Sequence, residues 1–186
     1  MIAICYSFEK EIARLNLDPH KYILHKIGVG KKHLKKNIEQ LEHRYSIDFF
    51  FLIGFAGAVN SGFKVGDIVY EQDLFTVDKI FDKKDKIKLK KENPQIKAVD
   101  MEALYFAEIM KNKNAKYFIV KAVSDTSDFV MPKSMIMLKY LQRMHLKFLF
   151  EILKNPIDCL RLLKLRRNCG IAGKVLGKYN YAKDLY

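Results

Sequence analysis

Five clusters of polar, acidic or glycine residues stand where apolar runs of this chain stop: Ser7 to Glu11, Gly28 to Lys31, Gly54 to Gly57, Asp100 to Glu102 and Ser124 to Asp128. Three of them carry carboxylates, the side chains that can accept or donate a proton for general acid–base work. His20, His25, His33, His43 and His145 form no metal-ligand pattern and read as solvated or half-buried. Gly28-Val29-Gly30 lacks the third glycine and the downstream acid of a dinucleotide fingerprint, so it reads as a tight strand-to-helix turn. Cys5 has no base beside it in sequence to activate it. Neither a metal nor an organic cofactor is expected.

Strands must end at those clusters. Ile2 to Tyr6, Tyr22 to Ile27, Asp48 to Phe55, Asp67 to Tyr70, Leu74 to Val77, Ile96 to Val99 and Tyr117 to Val123 are apolar runs of strand length. Between them, Glu9 to Leu17 reads as a helical turn or short helix. Lys31 to Tyr45 has apolar residues at 34, 38 and 41, and a helix is expected from about Met101 to Lys111. Lys79 to Gln95, with seven lysines, reads as an exposed hairpin or loop. Strands apolar throughout and alternating with helices predict a mainly parallel sheet covered on both faces. Ligands of such sheets bind beyond the carboxyl ends of the strands, where the clusters fall.

The 186 residues are 49% apolar and 30% charged, a globular composition of single-domain length. Thirty-four basic against 21 acidic side chains leave a charge of +13, which biases partners toward phosphates, nucleic acid or an anionic membrane surface. Residues 131–186 hold 12 basic and 3 acidic side chains, so most of the excess lies beyond the clusters. There Met135, Met137, Leu138, Leu141, Leu146, Leu149, Phe150 and Leu153, then Ile157, Leu160, Leu163 and Leu165 after the Asn155-Pro156 break, have helical spacing. The chain therefore divides into a core, 1–130, and a basic amphipathic helical part of the same domain, 131–186. A nucleic-acid partner is disfavoured, because the basic residues stand among aliphatic ones apart from Lys178 to Tyr181. Three cysteines without metal-like spacing suit a reduced, cytoplasmic protein. Met1 to Tyr6 lacks the flanks of a signal peptide, and no apolar run reaches the roughly 18 residues of a membrane span.

Gly54 to Val69 resembles the glycine turn and following strand of the nucleoside phosphorylase/nucleosidase superfamily. Ala98-Val99-Asp100-Met101-Glu102-Ala103 and Lys121-Ala122-Val123-Ser124-Asp125-Thr126-Ser127-Asp128 resemble its ribose and base motifs. Phe8-Glu9-Lys10-Glu11 and Gly28 to Lys31 fit the same pattern, which covers about residues 1–130 and is closest to methylthioadenosine/S-adenosylhomocysteine nucleosidases. The resemblance implies a three-layer α/β/α fold with a mixed, mainly parallel sheet, and hydrolysis of the N-ribosidic bond of a purine nucleoside, adenine being the expected base.

The same resemblance implies roles. Asp125 would protonate the purine at N7, which asks for a carboxyl kept protonated by burial. Glu102 would grip the ribose 2'- and 3'-hydroxyls with Met101 against the sugar, and Glu11 would take a proton from water, as in an inverting glycosidase. Phe55, Ala56, Gly57, Val99, Asp100 and Ser124 complete the substrate-binding set. On the residues alone, Glu9 competes with Glu11, Asp128 competes with Asp125, and Asp100 is as readily a helix cap as a ligand. Leu52 to Phe55 offers no arginine, serine or threonine for phosphate, so hydrolysis is favoured over the rival, a phosphorylase. The 26 residues from Tyr70 to Gln95 are fewer than relatives carry there, and Phe75, Phe81 and Phe129 are the aromatics available to stack on a base. That shortness motivates the other rival, a non-catalytic basic binder on a degraded nucleosidase scaffold. The stretch Ser127 to Arg167 looks like the hopanoid-associated members of this superfamily. A homodimer and peripheral contact with an anionic membrane are therefore further expectations.

Overall fold

Alternation within the first apolar run divides the molecule: Ala3 and Cys5 face one side of a sheet, Ile2, Ile4 and Tyr6 the other. The computed structural model describes residues 1–133, 135 and 155–185. Its strands are β1 (Ile2–Tyr6), β2 (Tyr22–Lys26), β3 (Phe49–Ala58), β4 (Ile68–Tyr70), β5 (Leu74–Thr76), β6 (Ala98–Asp100) and β7 (Tyr117–Asp125). The described helices are α1 (Glu9–Ile12), α2 (Lys31–Glu42), α3 (Lys83–Glu92), α4 (Ala103–Asn112) and α5 (Pro156–Lys178).

All seven strands join one mixed, mainly parallel sheet. β1 lies parallel between β2 and β3, and β3 runs parallel to β7. β6 is antiparallel to the far end of β3 and parallel to β5, while β4 is antiparallel to β7. On one face Leu34, Ile38 and Leu41 of α2 and Phe106 and Met110 of α4 pack on Ala3, Cys5, Phe50 and Leu52. On the other, Ile12 of α1 and Tyr181 cover Ile2, Ile4, Phe51 and Ile53, and Ala172 and Leu176 of α5 cover Ala122. These are the expected three layers.

β3 runs past Phe55, where the expected strand ends, because β7 pairs with it as far as Gly57 through a register shift after Ala56. Residues 79–95 require a larger correction, for the expected hairpin or loop is in fact the helix α3. Asp82 starts it, its carboxylate accepting from the Asp85 amide at 2.9 Å while Asp85 accepts from the Asp82 amide at 3.2 Å. Only Lys86 and Leu89 of this helix are buried, so no apolar stripe marks it in the sequence.

α5 crosses α1 at close range on glycines. A Cβ on Gly173 would stand 2.6 Å from the Lys10 carbonyl oxygen, and one on Gly177 would stand 2.5 Å from that of Arg14. The helix therefore packs against the same sheet and the same α1 that carries Glu11. Of the spaced apolar residues upstream, Met137 to Leu153 lie outside the described residues. Among the described residues, no helix is long and apolar enough to cross a membrane.

Candidate active site

The exits of β1 and β6 and the middle of β7 meet around Gly54 of β3. Parallel pairing sets Lys121 of β7 opposite it. Antiparallel pairing sets Val99 against Gly57, so the chain leaving β6 at Asp100 runs back alongside the same stretch of β3. The exit of β1 supplies α1 and Glu11. At Gly54 a Cβ would lie 2.8 Å from the Lys121 Nζ and 2.9 Å from the Glu11 Oε1. The missing side chain is what lets an ammonium and a carboxylate approach this strand together.

Glu11 is 2% exposed. Its Oε2 accepts from the amides of Ser7 at 2.8 Å and Phe8 at 3.0 Å, and its Oε1 accepts from the Phe55 amide at 3.1 Å. Burial pushes its carboxyl above the usual carboxylate range, with Lys121 and the two loop amides pulling the other way. Glu9, its competitor in the sequence, is exposed and pairs with Lys26.

Lys121 is 1% exposed and donates to Glu102 Oε2 at 3.0 Å, with Asp100 Oδ2 at 3.4 Å. Burial alone would push its ammonium down. The carboxylates of Glu102, Asp100 and Glu11 outweigh that and hold it above its ordinary value. Glu102 is buried, and no described group bonds to its Oε1. Asp100 acts as a cap: its Oδ2 accepts from the amides of Glu102 at 3.2 Å and Ala103 at 2.7 Å, and its Oδ1 accepts from the Thr76 hydroxyl at 2.7 Å. Met101 is half-buried with Phe81 against Val59, Val77, Leu89 and Val99.

A second group gathers at Gly57. Asp125 is buried, its Oδ1 accepts from the Ser124 hydroxyl at 2.9 Å, and its Oδ2 accepts from the ammonium of Lys86. The Lys86 Nζ also donates to the Thr126 carbonyl at 3.1 Å, and its side chain is 2% exposed. Asp125, expected as a carboxyl kept protonated by burial, is in this structure half of a buried ion pair with Lys86. Asp128, the alternative to it, is exposed and accepts from the Thr126 hydroxyl.

Phe55 contributes its amide, while its ring turns to Ala172 and Leu176 of α5. Ala56 contributes its carbonyl to Ser124 at 3.3 Å. Of the three aromatics considered for a base, Phe81 packs beside Met101, Phe129 is buried with Met131 and Leu165, and Phe75 is exposed on β5. Cys169 of α5 lies within electrostatic range of Asp125 and Glu11, and burial pushes its thiol up to about 11.

Sequence reasoning gave no role to Lys86, Lys121 or Cys169. The carboxylates alone looked like the site, yet Lys86 and Lys121 stand among four buried ones: Glu11, Asp100, Glu102 and Asp125. Among the described residues, no group of three or more His, Cys, Asp or Glu side chains is arranged to hold a metal ion.

No protein-family model matches this sequence, and no curated protein sequence matches it. Solved structures match over nearly the whole chain. One, from Borrelia burgdorferi and described as a 5'-methylthioadenosine/S-adenosylhomocysteine nucleosidase bound to adenine, superposes with a TM-score of 0.64 at 15% identity, covering 95% of this chain and 98% of that one. Futalosine hydrolase of Helicobacter pylori gives 0.63 at 13% identity, with 94% of each chain covered. A Streptococcus pneumoniae nucleosidase in complex with 8-aminoadenine gives 0.59 at 18% identity, covering 96% of this chain and 99% of that one. The chain has the α/β fold that these nucleosidases share.

Proposed function

We propose that this chain is a nucleosidase that hydrolyses the N-ribosidic bond of a purine nucleoside. The observation that carries the reading is the seat of Glu11: a buried carboxylate fixed by three backbone amides beside the Lys121–Glu102 pair, where the exits of β1 and β6 meet the middle of β3 and β7. As the glycosidic bond breaks, positive charge grows on the ribose and negative charge on the leaving base. Ionised Glu11 takes a proton from the attacking water. Glu102 keeps Oε1 for the ribose hydroxyls while Lys121 holds Oε2, and its charge lies near the developing cation. Met101 and the apolar wall of Val59 and Val99 pack against the sugar side. The Gly57 end, with Asp125, meets the base.

Hydrolysis fits better than phosphorolysis. The cation beside Gly54, Lys121, is already shared between Glu102 and Asp100, and Glu11 stands next to it where phosphate would be repelled. The neighbours bound to adenine and 8-aminoadenine support a purine base and make adenine the first candidate. One further observation favours peripheral attachment to an anionic membrane: α5 exposes Ile157, Leu160 and Leu163 beside Arg161 and Lys164.

The test is release of free base from adenosine, inosine and methylthioadenosine, followed with and without phosphate. Release independent of phosphate is expected. Glu102→Ala should raise KM for ribonucleosides, and raise it less for 2'-deoxyribonucleosides, which keep only the 3'-hydroxyl. No release from any nucleoside would overturn the reading.

A further inference from the structure

We infer that the hollow between α3 and the loop after β7 is a binding site for a small oxyanion of the phosphate class, seated on Lys86 and linked through it to a proton on Asp125. The site lies apart from the sugar contacts proposed above and stands whether or not the chain cleaves nucleosides.

The helix gathers its charge on one side. Lys83, Lys86, Ile87 and Lys90 follow at i, i+3, i+4 and i+7 of α3, which is a single helix face. With Lys91, Ser127 and Asp128 they border a cavity of about 430 Å³, the size of a small-molecule site. Four lysines thus stand around it against one acid, Asp128. The helix's own acids are engaged elsewhere, Asp85 with Lys79 and Glu92 with Lys88. Lys83, Lys90 and Lys91 have no ion pair among the described residues.

Lys86 distinguishes the hollow from a merely charged surface. Its side chain is 2% exposed, and its ammonium has three N–H groups. Asp125 Oδ2 takes one and the Thr126 carbonyl takes another at 3.1 Å. The third has no acceptor among the described residues, and the side chain borders the cavity. An oxyanion there accepts that N–H, with Lys83, Lys90 and the Ser127 hydroxyl as further donors around it. No aromatic ring of the described residues lines the cavity, whereas single-stranded nucleic acid is held by bases stacked on such rings. The chemistry is that of a small phosphate.

The same ammonium carries the link to Asp125. An anion on Lys86 draws its charge away from Asp125, whose remaining side-chain partner is the Ser124 hydroxyl. A buried carboxylate whose cation is drawn off is relieved by a proton, which comes here from solvent. By reciprocity, a proton on Asp125 tightens the anion. Other titratable groups stand near. Cys169 of α5 is within electrostatic range of Asp125, but burial pushes its thiol up to about 11, so it stays neutral. The Thr126 hydroxyl, with Lys83 and Lys164, keeps the Asp128 carboxyl below the usual range, so it stays ionised. Glu11, raised by burial, is the other carboxyl able to take a proton, and it stands at Gly54 and not at Gly57.

The test is calorimetry of the full chain with sulfate, at an ionic strength held constant with chloride and in two buffers of different ionisation enthalpy. Sulfate holds no proton near neutral pH, so a proton taken up goes to the protein. Wild type should bind sulfate saturably, take up a proton, and bind more tightly toward acid pH. Lys83→Gln/Lys90→Gln, at an exposed and a half-buried position, should weaken binding about tenfold or more, the scale of lost charged hydrogen bonds. Asp125→Asn should bind at least as tightly as wild type and take up no proton, which separates Asp125 from Glu11. Lys86→Met/Asp125→Asn, which leaves no buried charge unpaired, should lose the site. A parallel titration with glycerol 3-phosphate identifies the source of the anion: binding tighter than sulfate marks a phosphate monoester, weaker binding a free oxyanion. No saturable sulfate binding, binding without proton uptake, uptake that survives in Asp125→Asn, or a Lys83→Gln/Lys90→Gln variant that binds as wild type does would overturn the inference. An oligothymidylate that binds where sulfate does not would overturn it in favour of nucleic acid. No nucleoside enters the measurement, so failure to bind sulfate leaves the nucleosidase reading standing, and failure to release base leaves the anion site standing.

Discussion

Replacing Lys121 by methionine keeps the length and apolar stem of the side chain and removes its charge from among three carboxylates. Glu102 stands at 3.0 Å and Asp100 at 3.4 Å from that ammonium, and Lys121 is 1% exposed. Removing one partner of a buried pair costs about 3–5 kcal/mol, because the charge left behind stays desolvated. In a chain of this size that is a fall in Tm of about 6–20 °C. The loss must also depend on pH. The wild-type ammonium is held above its ordinary value, so its contribution is present throughout the neutral range and is lost only as pH rises through that higher value. In Lys121→Met the stranded carboxylates are relieved by protonation, so the deficit should be smaller at pH 5 than at pH 8. Melting curves of the two proteins across that range measure it. A variant as stable as wild type, or a deficit that grows toward acid pH, would refute the reasoning.

Further outcomes follow from the same geometry. Glu11→Gln should lower base release by about 10²–10⁴-fold. In the wild type, activity should fall on the acid side at a pH above the usual carboxylate range, because burial raises the Glu11 carboxyl and only its ionised form takes a proton; a limb at or below about 4.3 would count against this. Gly177→Ala should destabilise by about 1–3 kcal/mol, since its Cβ meets the Arg14 carbonyl at 2.5 Å. Gly170→Ala, on the same helix with no described group within 4 Å, should be neutral or slightly stabilising in the same melting assay. Pelleting with anionic liposomes should drop when Ile157, Leu160 and Leu163 are replaced together by serine, and unchanged pelleting would remove the membrane reading.

The strands were legible because they are apolar throughout: both faces of β1, β3 and β7 meet helices, so nearly every position must be buried. α2 and α4 were legible by their spacing against that sheet. α3 was not. Its inward positions are one lysine and one leucine, so charge stands where an apolar stripe would be looked for. The signal in the sequence was local: Asp82 and Asp85 three apart form a reciprocal cap. Which of its lysines turns inward depends on where β7 places Asp125, a tertiary fact with no periodicity of its own. Glu11 against Glu9 and Asp125 against Asp128 were likewise separated only by burial. The glycines misled in one respect. A glycine turn is expected from Gly54 onward, but Gly54 and Gly57 both lie inside β3, and at Gly54 the missing side chain leaves room for two charged groups.

Base release from inosine and adenosine by the full chain, with and without phosphate and for wild type against Glu11→Gln, tests the central claim most directly. Phosphate-independent release that falls at least a hundredfold in the variant is the predicted result, by the size of general-base effects of about 10²–10⁴. Release that requires phosphate, survives Glu11→Gln unchanged, or is absent from every nucleoside would contradict it.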